Sequence, residues 1–212
     1  MAGRYDGDAT IGELLVHGDL GIGTVQRLDG EAWVVDGDGR VTPVSPETRT
    51  PFAVVCRFTP VATAVLDGPL DLPALRTTLD GLAPPDVSMV AVRVTGTFTA
   101  LSLRSVHAQV PPYPPLIEVT KHQTEWRVEE ASGTVVGFRF PTETAGVEVP
   151  GYHLHFLSED RTCGGHVLEL TLSRGEAAVD DADELHVELP DGLHLGRAPA
   201  DLDAIHEGEG GA

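Results

Sequence analysis

The sequence predicts an α+β protein dominated by strands, with a β-rich mixed sheet, a barrel-like antiparallel sheet and a few short helices. Three observations support this fold class. Short runs rich in β-branched residues recur along the chain, and glycine or proline bounds most of them. Two short stretches have helical apolar spacing or a helix-capping pattern. Residues 152–156 alternate between apolar and polar side chains, which is typical of a half-buried strand.

The predicted helices are short and come early in the chain. The first spans residues 10–17, where Thr10 and Glu13 have the spacing of a capping box. The second spans about Leu72 to Leu79 and places its leucines on one face. A proline-rich connector follows at 111–115. Strands are predicted at 32–35, 52–56, 89–94, 116–120, 126–129, 134–140, 152–157, 166–172 and 184–189.

The length of the chain sets its domain organisation. With 212 residues it can form one large domain or two small ones that share a core. We expect an N-terminal α/β sheet part in residues 1–96 and a C-terminal β-rich part in residues 97–212. The second part is expected to carry the metal site, and the two parts to form one compact unit.

Charge and cysteine content exclude several classes of protein. The net charge of −19 disfavours nucleic acid and anionic membranes as partners. Cys56 and Cys163 are too few for a disulfide framework and lack the spacing of a zinc ribbon. Neither a signal peptide nor a membrane span is visible in the sequence, so we expect a cytoplasmic protein.

The strongest chemical signal is a group of three histidines. His153 and His155 project from the same side of a strand, with Cα atoms about 7 Å apart. A His-x-His pair is expected by chance roughly 0.4 times in a chain with this many histidines, so the pair alone is weak. The chain then reaches His166 after a segment that reads as a hairpin, which would return His166 to the pair. Three neutral imidazoles are typical of a catalytic zinc site.

The spacing leaves other interpretations open. The three histidines could lie on a polar, solvent-exposed strand face without binding a metal. His153 and His155 followed by Glu159 approximate the cupin signature, in which two histidines and a glutamate bind iron or manganese. A zinc hydrolase or hydratase could use the same three histidines. Spacing does not separate these classes.

Several separate blocks of sequence, in order, resemble the α-acetolactate decarboxylase family from about Tyr5 to the end of the chain. The blocks are Tyr5-Asp6-Gly7-Asp8, His17-Gly18-Asp19-Leu20-Gly21-Ile22-Gly23-Thr24, Leu28-Asp29-Gly30-Glu31, Thr50-Pro51-Phe52, Tyr113-Pro114-Pro115, Gly133-Thr134-Val135-Val136-Gly137-Phe138, Pro150-Gly151-Tyr152-His153-Leu154-His155-Phe156 and Gly164-Gly165-His166-Val167. The resemblance implies a lyase that converts 2-acetolactate to acetoin and CO2 at a zinc ion. The family's three zinc ligands match His153, His155 and His166.

The resemblance also implies three catalytic side chains and an assembly. The family's arginine before the proline connector matches Arg104, and the glutamate of its Leu-Asp-Gly-Glu block matches Glu31. Its late glutamate matches Glu209, with Glu207 as the neighbouring alternative. A homodimer is expected, in which N-terminal strands contribute to a shared sheet. Cys163 stands where members often have serine, and we interpret it as a neutral replacement rather than a fourth ligand.

Overall fold

The structure is a computed structural model that describes residues 6–7, 9–114, 116–145, 147–182 and 184–187. Strands predominate in these ranges, and the helices are short. The described strands are β1 (Ala9–Thr10), β2 (Leu20–Gly23), β3 (Val25–Leu28), β4 (Glu31–Val35), β5 (Val41–Pro43), β6 (Arg49–Thr50), β7 (Ala53–Cys56), β8 (Ala62–Asp71), β9 (Met89–Ser105), β10 (Thr124–Phe140), β11 (Gly151–Ser158) and β12 (Gly164–Ala182). The described helices are α1 (Ile11–Leu14), α2 (Leu72–Leu82) and α3 (Leu116–Thr120), with a 3₁₀ turn at Thr142–Thr144.

Four antiparallel strands form a ring-like sheet that carries the three histidines. β11, β10, β9, β12 and β8 are hydrogen-bonded in this order, and β11 also pairs with β12, which closes the first four into a ring. This ring-like sheet corresponds to the barrel-like sheet expected from the sequence. The expected boundary between residues 96 and 97 lies in the middle of β9, so this strand continues through both expected parts.

A second sheet packs beside the ring. Its strand order is β5-β4-β3-β2-β7, and β1 and β6 form a separate two-stranded sheet. The sequence predicts a mixed sheet, whereas the strand pairs in these two sheets are antiparallel. Strands β2 to β5 follow one another through short turns, and short turns join neighbouring strands antiparallel.

The larger core lies on one face of the ring-like sheet, against α2. The Asp71 carboxylate caps α2 by accepting a hydrogen bond from the Ala74 amide at 2.9 Å. The helix buries the leucines that the sequence pattern places on one face, which confirms this prediction: Leu72, Leu75 and Leu79. They pack with buried residues of the ring, including Val94, Phe98, Leu154 and Phe156.

The smaller core lies between the ring and the second sheet. Leu20, Ile22 and Leu28 of the second sheet pack against Val136 and Phe138 of β10. Directly paired residues of neighbouring strands project from the same face of a sheet. Val136 pairs with His155 and Phe138 with His153, so both histidines share the face of the ring that the second sheet partly covers.

Helix α1 confirms the predicted capping box. The Glu13 carboxylate accepts a hydrogen bond from the Thr10 amide at 2.7 Å, and the Glu13 amide donates to the Thr10 hydroxyl at 3.2 Å. The helix ends at Leu14, earlier than the predicted 10–17. No helix in the described part of the chain is long and apolar enough to cross a membrane.

Two predicted strands are wrong, and two others merge. Residues 116–120 form helix α3, and the turn that follows it is closed by the His122 amide, which donates to the Val119 carbonyl at 3.0 Å. Residues 184–187, the described part of the predicted strand 184–189, have no regular structure. The strands predicted at 126–129 and 134–140 form one strand, β10, interrupted at Glu130, whose φ is +52°.

Gly137→Ala is expected to loosen the strand that carries two of the histidines. A Cβ atom at Gly137 would lie 2.0 Å from the carbonyl oxygen of His153, so β10 and β11 would have to separate. We expect a destabilisation of about 1–3 kcal/mol, with weaker metal retention. Thermal unfolding and metal analysis measure both effects.

Gly81→Ala is the matched control, because a Cβ there meets nothing within 4 Å and the position lies in α2. It should stabilise the protein by roughly 0.5–1 kcal/mol. Equal stability of the two variants would show that the close approach at Gly137 is unimportant.

Asp180→Asn is expected to raise the melting temperature modestly at pH 7. The Asp180 side chain is buried, and its carboxylate accepts a hydrogen bond from the Thr59 amide at 2.8 Å. Burial raises the pKa of Asp180, and the negative charge of Asp181 raises it further. The charged form therefore destabilises the fold, and asparagine removes the charge while keeping an acceptor.

As the pH falls through the raised pKa, the native carboxylate takes up a proton and the penalty disappears. Melting curves of both proteins at several pH values should therefore converge towards pH 4. An advantage of Asp180→Asn that stays constant with pH would contradict this account.

Candidate metal centre

The structure brings the three histidines together. His153 and His155 alternate along β11, and the β11–β12 register places His166 directly opposite His155. The Nε2 atoms of His153 and His155 are 3.1 Å apart, and one potential ligand atom from each of the three side chains lies within 4.8 Å of the others. Among the described residues this is the one group of three or more histidine, cysteine or acidic side chains with such spacing.

A tight hairpin between β11 and β12 produces this register. The Ser158 hydroxyl accepts hydrogen bonds from the amides of Thr162 and Cys163, at 3.1 and 3.0 Å. The Ser158 amide donates to the Cys163 carbonyl at 2.8 Å. The predicted hairpin is therefore confirmed, and its serine holds the turn closed beside His166.

The second sheet supports the same hairpin. The turn between β4 and β5 contacts this hairpin. The amide of Gly164, at the start of β12, donates a hydrogen bond to the carbonyl of Gly39 in that turn at 3.2 Å. A Cβ atom at Gly39 would lie 2.5 Å from the Trp126 ring, and one at Gly165 would lie 2.9 Å from it. Glycine at both positions therefore lets the indole of Trp126 pack against the residue that precedes His166.

The protonation state of His155 suits metal binding. Burial lowers the pKa of His155 well below 6.5, and the charges of His153 and Arg104 lower it further. Its imidazole is therefore neutral at pH 7 and offers a lone pair. Two nitrogens at the usual zinc distance of 2.0–2.1 Å, in tetrahedral geometry, lie about 3.4 Å apart, close to the separation of His153 and His155. The donor set fits Zn²⁺, although imidazoles also suit copper, iron and nickel.

Arg104 lies beside the histidines, as the resemblance implies. The β9–β12 register pairs Arg104 with His166, so both side chains project from the same face of the ring-like sheet. Arg104 is only 5% exposed, and its Nη1 atom donates a hydrogen bond to Oε1 of Gln123 at 3.0 Å. A buried guanidinium thus lies next to a metal ligand.

Of the two expected glutamates, the structure describes Glu31, which does not belong to the histidine group. Glu31 is exposed at the start of β4, where it pairs with Leu28 across the turn Asp29–Gly30. Glu209 lies outside the described residues. Glu159 is exposed in the hairpin after Ser158 and does not belong to the histidine group, so the cupin-like set of two histidines and Glu159 is not formed.

Sequence reasoning did not identify Gln123 as part of this site. No motif marks it, because a lone glutamine before a strand has no characteristic spacing. Gln123 lies near Arg104 because β9 pairs with β10, which brings the start of β10 beside the end of β9.

Cys163→Ser is expected to leave metal content and turnover unchanged. Cys163 forms an isolated bridge with Arg40 and does not belong to the histidine group. Burial raises the pKa of its thiol, so the thiolate that would bind zinc is scarce at pH 7. Metal analysis and steady-state kinetics test this expectation.

Cys56→Ser controls for the effect of replacing a partly buried thiol, since Cys56 is also partly buried and free. A marked loss of metal in the Cys163 variant alone would make Cys163 a ligand.

The fold matches a solved enzyme structure. The crystal structure of α-acetolactate decarboxylase from Bacillus subtilis strain 168 superposes with a TM-score of 0.92 at 32% sequence identity, covering 98% of this chain and 94% of that chain. The chain shares this fold and holds a polar site with three converging imidazoles, and it is an enzyme of the carboxy-lyase class.

Sequence comparisons identify the family. The family model described as alpha-acetolactate decarboxylase matches residues 1–199, a match that stops before Glu209. The α-acetolactate decarboxylase of Methylococcus capsulatus is 41% identical over 222 residues, covering 99% of this chain and 84% of that protein. The one from Methanosarcina mazei is 42% identical over 197 residues, covering 90% and 68%. The chain belongs to the α-acetolactate decarboxylase family.

Proposed function

We propose that this chain decarboxylates 2-acetolactate to acetoin and CO2 with the help of a zinc ion held by His153, His155 and His166. The observation that carries the proposal is the convergence of three imidazoles beside the buried Arg104. The names of the relatives support the substrate, and the donor set supports the metal.

The reaction requires an electron sink. The bond between the carboxylate carbon and the hydroxyl-bearing carbon breaks, CO2 leaves, and the electron pair moves onto the neighbouring ketone as an enediolate. A proton then adds to the carbon that lost CO2. When bound, zinc supplies Lewis acidity to the hydroxyl and ketone oxygens of the substrate, so no organic cofactor is needed.

His155 contributes by staying neutral, and the backbone fixes its position. Protonated imidazoles would repel a cation, and the lowered pKa of His155 prevents this at pH 7. The register between β11 and β12 sets the backbone positions of His155 and His166 opposite each other. The site is therefore preorganised by backbone pairing.

Arg104 acts on the charge that develops during the reaction. A guanidinium that gripped the substrate carboxylate would stabilise the group that must leave, which helps binding and not rate. A guanidinium that contacts the enediolate oxygens, or passes a proton to the product carbon through water, stabilises the transition state instead. Burial strengthens such an interaction, since Arg104 is 5% exposed.

Glu31 and Glu209 are proposed as acid–base groups. Either carboxylate could orient the substrate hydroxyl or exchange a proton with it. Glu31 is exposed, but its cross-strand partner Leu28 is buried in the core between the sheets, so Glu31 lies at the edge of that core. The proposal for Glu209 comes from the family resemblance, and Glu207 is its alternative.

The decisive experiment is an assay of the purified chain with racemic 2-acetolactate. Acetoin and CO2 should form in equal amounts, activity should disappear after chelator treatment, and Zn²⁺ should restore it. A protein that releases no CO2 with a full complement of zinc would overturn the proposal. Activity that survives complete metal removal would overturn the zinc assignment alone.

Two further expectations stay predictions from the sequence. One is the homodimer with a shared sheet, and the other is the cytoplasmic location. Light scattering of the purified protein measures the first, and cell fractionation the second.

A further inference from the structure

We propose that Gln123 is a positioning residue, which Glu125 orients so that the side-chain carbonyl of Gln123 holds the guanidinium of Arg104 beside the histidines. The inference rests on the proposed decarboxylation, because the function of Arg104 is defined by that reaction. It assigns a part in turnover to two side chains that lie outside the histidine group.

The first observation is a chain of two hydrogen bonds. Nη1 of Arg104 donates to Oε1 of Gln123 at 3.0 Å, and Nε2 of Gln123 donates to Oε1 of Glu125 at 2.6 Å. Each bond has one charged partner, and such bonds are stronger than neutral ones.

These partners determine the orientation of the Gln123 amide. A guanidinium only donates hydrogen bonds, and a carboxylate only accepts them. If the amide were flipped, its NH2 group would face the guanidinium and its oxygen would face the carboxylate, so both bonds would be lost. Glu125 therefore selects the orientation in which the oxygen faces Arg104.

The backbone around Gln123 is also held. The Gln123 amide donates to the Thr120 carbonyl at 3.3 Å, which closes the turn after α3. The next residue, Thr124, pairs with Ser105 in the β9–β10 ladder, and its hydroxyl contacts Nε2 of His107 at 3.1 Å. The side chain of Gln123 thus projects from a segment fixed to the strand that carries Arg104.

The chemistry explains why an amide is suited to this position. A carboxylate at 123 would neutralise the guanidinium and repel Glu125, while an apolar side chain would leave Nη1 without this acceptor. An amide orients the guanidinium and leaves its positive charge available to a developing anion. We therefore expect the interaction to act mainly on kcat, because misplacing a catalytic group by about 1 Å can cost up to 100-fold in rate.

The test begins with Gln123→Leu, which keeps the size of the side chain and removes both hydrogen bonds. We expect kcat for 2-acetolactate to fall roughly tenfold or more, with KM and zinc stoichiometry little changed. The melting temperature should fall somewhat, because a buried guanidinium loses an acceptor. Wild-type turnover is measured in parallel, so that failure of the proposed function appears as an inactive wild-type enzyme. An active wild-type enzyme with a fully active Gln123→Leu variant would overturn the positioning proposal.

A swap of the two side chains provides the rescue. Gln123→Glu alone places two carboxylates against each other and should be impaired. The double variant Gln123→Glu/Glu125→Gln restores an acceptor for Arg104 and a donor for residue 123, so it should recover part of the kcat that Gln123→Glu loses. Recovery should stay incomplete, because a carboxylate at position 123 still neutralises the guanidinium. This comparison remains decisive if Gln123→Leu does not fold. No recovery in a folded, zinc-loaded swap variant would overturn the proposal.

A double-mutant cycle with Arg104→Lys separates positioning from a general structural effect. If Gln123 acts through the guanidinium, Gln123→Leu should cost little further kcat once Arg104 is lysine. Independent, multiplicative losses would mean that Gln123 does not act through Arg104.

Discussion

His155→Ala is expected to abolish both zinc retention and decarboxylation. His155 is the central member of the group, since it neighbours His153 along β11 and pairs with His166 across to β12. Two remaining imidazoles hold zinc poorly, because structural and catalytic zinc sites use at least three protein ligands. Metal analysis after dialysis and the acetoin assay measure the two losses.

The control for this variant is His17→Ala, which removes an exposed histidine outside the group. It should keep the zinc content and the turnover of the parent enzyme. One equivalent of zinc with near-parent turnover in His155→Ala would show that the three histidines are not the metal site.

Arg104→Lys is expected to keep the fold and the zinc but to lose at least about tenfold in kcat, equivalent to about 1.4 kcal/mol of transition-state stabilisation. Lysine keeps the positive charge and loses the planar fork that holds donors against oxygens in fixed directions. The hydrogen bond to Gln123 at 3.0 Å depends on that fork. Steady-state kinetics with zinc-loaded protein measures the change.

Arg127→Lys is the matched control, because Arg127 is a mostly exposed arginine of β10 whose ion pair with Glu129 lies at the surface. It should change kcat less than twofold, as surface ion pairs contribute little. If Arg104→Lys behaves like this control, Arg104 does not act on the transition state.

The two largest expected effects thus concern His155 and Arg104, both of which the sequence had already indicated. The reasons differ between the two residues. The alternation of His153 and His155 is local information, because every second side chain of a strand shares a face. Arg104 came from the family resemblance alone, since an isolated arginine in an apolar strand carries no spacing signal. Its place opposite His166 depends on the register between β9 and β12.

Predictions from local sequence patterns were wrong where the same residues are compatible with more than one local structure. The run Leu116–Thr120 contains β-branched residues and is compatible with a strand, yet it forms α3. Strand propensity depends on context, because β-branched side chains favour a strand mainly when they pack within a sheet. Glu159 follows His153 and His155 at a spacing that approximates the cupin signature, which supported the cupin-like alternative. β11 ends at Ser158, and the turn that follows takes Glu159 out of the alternation.

The sequence by itself determined the strand-rich fold class, the capping box of α1, the leucine face of α2, the common face of His153 and His155, and the family. Each of these depends on residues close together in the chain or on whole blocks of sequence. Only the tertiary structure decided that His166 faces His155, that Arg104 is buried beside His166, and that Gln123 reaches Arg104. These contacts join different strands, and the register of such pairings is set by the hairpin at Ser158, the irregular residue Glu130 and packing against the second sheet.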